Sequence, residues 1–135
     1  MRIARRIPFL AFSIILYYVL VSLSGIPLDR TLFSVPLPSG AGLSVTLAEL
    51  LILIAIILGF FELLGSTSAT TVAIISHGLQ MIVFLVALLL FLLLPVFGTA
   101  TFLIITMMTL INTIAGYSVS IMRARRDFSF ERDMS

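Results

Sequence analysis

Four long apolar runs, separated by short breaks, constrain the fold of this 135-residue chain more than any other feature. They lie at about 7–24, 47–64, 70–94 and 99–122, and each is close to the roughly 20 apolar residues that a helix needs to cross a bilayer. Only 10% of the residues are charged, whereas a typical soluble domain carries about 25%. A soluble fold of this size leaves too much surface exposed to hide so much apolar area. The sequence therefore predicts an all-α integral membrane protein, a four-transmembrane-helix bundle that forms one domain over residues 1–135.

Helix-ending and helix-capping residues fall at the borders of these runs. Pro8 stands at the start of the first, where its missing N–H costs nothing. The stretch 46–49, "TLAE", matches a capping box at the start of the second run, and Gly65 follows its end. Pro95 stops the third run, because the residue before a proline disfavours helix. Thr99 is then the expected N-cap of the fourth.

The basic residues of this chain are all arginines, and most of them flank the first and last apolar runs. The flanking arginines are Arg2, Arg5, Arg6, Arg123, Arg125 and Arg126. By the positive-inside rule, this distribution predicts that both termini are cytoplasmic, and arginines at that surface also attract anionic lipid. Together with the short loops, it favours a multi-pass protein of a bacterial inner (plasma) membrane. In the alternative interpretation, residues 1–24 are a cleaved signal peptide and three spans remain.

The first loop, 25–46, is predicted to be extracytoplasmic and to contain a β-hairpin. Apolar and polar residues alternate over 33–37 and again over 43–47, with "PSGAG" between them. The expected cross-strand pairs are Leu37–Leu43, Val35–Val45 and Phe33–Leu47. An isolated hairpin is marginally stable in water. We therefore expect its apolar face to lie on the bundle, on the membrane surface or on another protein.

Small and polar residues recur at helical spacing in the last three runs and predict the faces on which these helices pack. The stripes are Ala48, Ala55, Gly59 and Glu62; Ala69, Ala73, Ser76, Gln80 and Ala87; and Thr106, Thr109, Thr113, Gly116 and Ser120. If the last two runs form a hairpin about 96–97, Gln80 lies level with Asn112 and Thr113, and His77 lies level with Gly116 and Tyr117. The predicted intramembrane polar cluster is Glu62, His77, Gln80, Asn112, Thr113 and Tyr117.

Structural and chemical roles are both open for this cluster. In the structural interpretation, Gln80 forms an interhelical hydrogen bond with Asn112 or Thr113, and Glu62 reaches towards the membrane interface. In the chemical one, Glu62 and His77 form a short proton relay, since intramembrane ionisable groups are candidates for proton paths. A third interpretation makes His77 a cofactor ligand. The segment from Ala73 to His77 resembles the Ala-x-x-x-His pattern of bacterial light-harvesting polypeptides, in which the histidine binds pigment.

The sequence contains no constellation expected of an enzyme. Cysteine is absent, there is one histidine, and no phosphate-binding loop, nucleophile elbow or metalloprotease helix is present. We therefore expect no catalytic residue, no metal site, no cofactor and no nucleic-acid partner. The favoured function is that of a non-enzymatic accessory, assembly or structural subunit that contacts a membrane-protein partner or a second copy of itself. The alternatives are a small transporter or channel component working as an oligomer, and a cofactor-binding subunit that uses His77.

Overall fold

The computed structural model describes residues 8–65 and 71–134 and is mostly helical, with four α-helices and one two-stranded hairpin. The chain order is α1 (Phe9–Tyr17), a π-helical segment (Tyr18–Leu23), β1 (Thr31–Pro36), β2 (Gly42–Thr46), α2 (Leu47–Gly65), α3 (Thr71–Leu93), a short 3₁₀ turn (Pro95–Phe97) and α4 (Ala100–Met134). The predicted bounds hold to within two residues for α2, α3 and the start of α4. The last helix continues to Met134, well beyond the predicted end at 122, and takes in most of residues 123–135, which were predicted to be a cytoplasmic tail.

The predicted capping groups are in place. At the start of α2, the Thr46 N–H donates to Glu49 Oε2 at 2.8 Å and the Glu49 N–H donates back to Thr46 Oγ1 at 3.5 Å. At the start of α4, the Phe102 N–H donates to Thr99 Oγ1 at 3.2 Å. These side chains satisfy backbone donors that the first helical turn leaves without a partner.

The first helix departs from the regular α-helix that the apolar run predicts. After Tyr17 it widens into π-helix, and the Ser24 N–H donates to Val19 O at 2.9 Å. Gly25 then takes a positive φ of 65° and ends the helix, a conformation that costs glycine little. The first helix is therefore one α-helical half and one π-helical half.

Helix α4 is the centre of the bundle, because α1, α2 and α3 all pack against it. The prediction that the second, third and fourth helices pack mutually is corrected in one respect: α2 and α3 pack mainly on α4 and α1 rather than on each other. Within the described residues, the predicted stripes do face inward at Ala55, Gly59, Ala87, Thr106 and Gly116. Small side chains on these faces let the backbones approach closely.

The β-hairpin forms where predicted, but its register is shifted by two residues. Val35 pairs with Leu43 and Phe33 pairs with Val45. The reason is the turn, in which the Leu37 N–H donates to Ala41 O at 2.8 Å and Gly40 takes a φ of 90°. The turn is thus 37–41 instead of 38–42. A shift of two residues leaves every side chain on the face predicted for it.

The exterior of the described bundle is apolar and its interior holds many polar groups. Large apolar side chains on α2 and α3 point outward, among them Ile57, Phe60, Leu89 and Leu92. The buried polar residues are Ser13, Glu62, His77, Gln80, Thr101, Thr106, Thr109, Asn112 and Thr113. Two helices, over Leu47–Leu64 and Ala100–Ser118, are long and apolar enough to cross a membrane.

Candidate functional site

All four helices contribute a group to one buried polar site around Glu62, which we call the Glu62 node (Leu10, Gly59, Glu62, Gln80 and Asn112). The Glu62 side chain is only 7% exposed. Its Oε1 accepts a hydrogen bond from Gln80 Nε2 at 2.6 Å, and its Oε2 accepts one from the Leu10 N–H at 3.4 Å. The Asn112 amide also interacts with this carboxylate. Hydrogen bonds thus join this acidic side chain of α2 to α1 and α3, and the Asn112 amide of α4 lies beside it.

The backbone contact at Leu10 has a simple cause in the start of α1. The first N–H groups of any helix have no partner within that helix, and Pro8 at the N-cap position has no side-chain acceptor to offer them. The carboxylate of Glu62 supplies an acceptor from the last turn of α2.

Asn112 joins α4 to α2 through the backbone of Gly59. Its Nδ2 donates to Gly59 O at 2.9 Å. A Cβ atom at position 59 would lie 3.1 Å from this nitrogen and equally close to the Met108 methyl group. Glycine is therefore the residue that lets the amide reach the carbonyl without displacing its neighbours.

The hydrogen-bond partners differ from those expected. Gln80 donates to Glu62, while Asn112 donates to the backbone of Gly59. Thr113 bonds within its own helix, to Thr109 O at 2.8 Å. A buried threonine satisfies its hydroxyl most simply with the carbonyl one turn earlier, so it need not reach across to another helix. Glu62 turns inward instead of reaching towards the interface.

His77 and Tyr117 form a second contact, on the α3–α4 side. The His77 side chain is fully buried, and its ring centroid lies 5.0 Å from that of Tyr117 at an angle of 46°. A Cβ at Gly116 would lie 2.5 Å from His77 Cε1, so the imidazole occupies the space above this glycine. His77 therefore does lie level with Gly116 and Tyr117.

The remaining predicted residues lie at the edge of the described structure or beyond it. Arg2, Arg5 and Arg6 are outside the described residues, and so is the side chain of Arg123. Arg125 and Arg126 are exposed near the end of α4. Within residues 8–65 and 71–134, no three His, Asp or Glu side chains come together as a metal site would require.

Helix α1 contributes buried residues that were not predicted from the sequence. Leu10, Ser13 and Tyr17 are its buried residues. The Tyr17 hydroxyl donates to Val96 O at 2.9 Å and lies 2.8 Å from Thr99 Oγ1. Leu10, Ser13 and Tyr17 are spaced by three and then four residues, which is the spacing of one face of a helix. This spacing could have predicted the buried face of α1 from the sequence.

In comparisons with known proteins, the chain matches no protein family, no curated protein and no solved structure.

Proposed function

We propose that the protein is a multi-pass membrane protein in which all four helices cross the bilayer. Two helices have the length and composition for it, and the 23-residue α3 would extend about 35 Å at 1.5 Å per residue. Only 28% of the apolar window of α2 is buried, whereas a core helix of a soluble protein would be mostly buried. The apolar exterior supports the same conclusion, because lipid is the solvent that such a surface prefers.

The arginine distribution supports an orientation with both termini in the cytoplasm and the hairpin on the opposite side. It favours the inner (plasma) membrane of a bacterium. In this arrangement we propose that the first helix is a retained span and not a cleaved signal; the burial of Tyr17 and its hydrogen bond to the turn before α4 support this.

Within the membrane, we infer a non-enzymatic role as an accessory, assembly or structural subunit that works through contacts. The observation that carries this is the hairpin, whose first strand is exposed along its whole length. Phe33, Val35 and Leu43 lie on one face and are each nearly half exposed. Exposed apolar patches of this kind mark interaction sites, and the open strand edges can pair with a further strand. The expected partner is another membrane protein or a second copy of the chain.

The test is purification of the tagged chain from its native membrane in a mild detergent, with mass spectrometry of whatever co-elutes. We expect a partner in fixed proportion, or a homo-oligomer. Val35→Ser should release it, because the substitution places a polar group on the apolar face. Leu32→Ser is the matched control, since Leu32 is similarly exposed one position from Phe33.

Two outcomes would contradict the proposal. One is a wild-type chain that elutes as a monomer with nothing bound. The other is a partner that Val35→Ser and Leu32→Ser retain equally, which would place the contact elsewhere.

A further inference from the structure

The Glu62 node contains a buried acid that no arginine side chain of the described part of the chain reaches. The described arginine side chains, Arg30, Arg125 and Arg126, are all exposed. A buried carboxylate without a cationic partner is very costly, more so in a bilayer, and such a group is normally neutralised. The question is what neutralises Glu62.

The hydrogen bond between Glu62 and Gln80 indicates which group neutralises Glu62. Its length of 2.6 Å is short for an N–H···O bond, which is typically about 2.9 Å, and suits an O–H···O bond, typically about 2.7 Å. The same Gln80 side chain leaves its Oε1 buried with no hydrogen-bond partner among the described residues. Burying an acceptor without a partner is itself unfavourable.

The short contact is explained if the amide of Gln80 is rotated by half a turn, and no hydrogen bond on the far side of the amide opposes that rotation. The oxygen and nitrogen of a glutamine side chain have nearly the same shape, and their positions are assigned from their neighbours. After the rotation, Oε1 faces Glu62 and needs a donor, which a protonated carboxyl provides.

We propose that Glu62 is a proton-binding site: in the folded protein its carboxyl holds a proton and donates it to Gln80 Oε1. The Leu10 N–H of α1 donates to this carboxyl at 3.4 Å, and the Asn112 amide of α4 lies beside it. The titratable neighbours are His77, one turn earlier on α3, and Tyr117 beside it on α4. On α1, Ser13 is a buried hydroxyl one turn beyond Leu10. The site does not depend on the accessory role proposed above.

The chain allows this protonation state to be measured directly. Its only glutamates are Glu49, Glu62 and Glu131. In the double variant Glu49→Gln/Glu131→Gln, a ¹³C label on the glutamate side chain reports Glu62 alone, and Glu62 itself is unchanged. The variant is reconstituted in lipid nanodiscs, and infrared or NMR spectra are recorded near neutral pH. We expect the signal of a protonated carboxyl. An ionised signal would overturn the proposal.

Two further measurements separate the proton from other neutralising groups. Replacing sodium with choline should leave the Glu62 signal unchanged; a shift would mean that a metal cation occupies the site and would overturn the proposal. Replacing Arg2, Arg5 and Arg6 with glutamine should also leave it unchanged. A change there would mean that the carboxylate is ionised and paired with an arginine, which would overturn it too.

The proposal also fixes a dependence of stability on pH. A proton held by the folded protein stabilises it at low pH, and that stability is lost as the pH rises and the proton leaves. Wild type should therefore lose thermal stability towards alkaline pH. Glu62→Gln, which mimics the neutral acid, should not lose it, while Glu49→Gln should behave as wild type. Equal pH profiles for wild type and Glu62→Gln would contradict the proposal.

Discussion

At the scale of single residues, the contact between His77 and Gly116 sets how closely α3 approaches α4. A methyl group at position 116 would lie 2.5 Å from His77 Cε1 and 2.7 Å from Nδ1, and a rigid ring cannot bend away. We expect Gly116→Ala to lower the free energy of unfolding by about 1–3 kcal/mol, as overpacking of an interior does. Denaturation in detergent micelles or nanodiscs measures this.

The control for that experiment is Gly78→Ala, on α3 one position after His77. A Cβ at Gly78 meets nothing within 4 Å. The substitution should leave stability unchanged or raise it by up to about 1 kcal/mol through helix propensity. Equal effects of Gly78→Ala and Gly116→Ala would mean that close packing at the histidine does not limit the approach of the two helices.

The position of His77 along the bundle could be predicted from sequence, but the partners of Gln80 could not. The short turn at 95–97 ties α3 and α4 into a hairpin, so counting residues from the turn places His77 level with Gly116. Counting gives a level along the helix but not the order of helices around the bundle axis. Because α1 begins beside the end of α2, Glu62 turns inward. Its carboxyl accepts a hydrogen bond from the Gln80 amide, which the residue count had paired with Asn112 or Thr113.

At the scale of elements, the turn of the hairpin depends on Gly40. Its φ of 90° is a conformation that residues with a side chain rarely adopt. We expect Gly40→Ala to cost about 1–2 kcal/mol of hairpin stability while the helices stay intact. Amide hydrogen exchange reports the change, because Leu37 and Val35 should lose protection while residues in α2 keep it.

Gly42→Ala is the matched substitution in the same hairpin. Gly42 has ordinary strand backbone and open space around its Cβ position. Exchange at Leu37 and Val35 should then remain as in wild type. If Gly40→Ala also left it unchanged, the left-handed turn would not be what holds the register.

Most element boundaries could be predicted because particular residues create them, namely Pro95, Thr99 and the pair Thr46–Glu49. The hairpin register was wrong because "LPSGAG" contains two glycines and the alternation of side chains is compatible with either turn. The π-helical half of α1 had no signal, because an apolar run has the same composition whichever hydrogen-bond spacing it adopts.

At the scale of the whole molecule, the described bundle buries many polar side chains beside its hydrophobic core and exposes many large apolar ones. The Glu62 node and the threonines of α4 are buried, while α2 and α3 present leucine, isoleucine and phenylalanine outward. If lipid covers that exterior, a residue can be exposed in the fold and still be out of reach of water. In a soluble bundle, by contrast, every residue that is exposed on the surface of the fold is also in contact with water.

This difference can be tested by cysteine labelling, because the chain has no cysteine of its own. We compare Ser39→Cys in the hairpin turn, Ile57→Cys in the middle of α2 and Ser135→Cys at the end of the chain. A membrane-impermeant maleimide applied to intact cells should label the first, should label the third only after permeabilisation, and should not label the second in either case. Ile57 is 54% exposed in the fold, so labelling of Ile57→Cys without detergent would show water at that surface and contradict a transmembrane α2. Labelling of Ser135→Cys in intact cells would mean that the C-terminus lies outside the cell. That result would contradict the predicted orientation but not the membrane location of the helices.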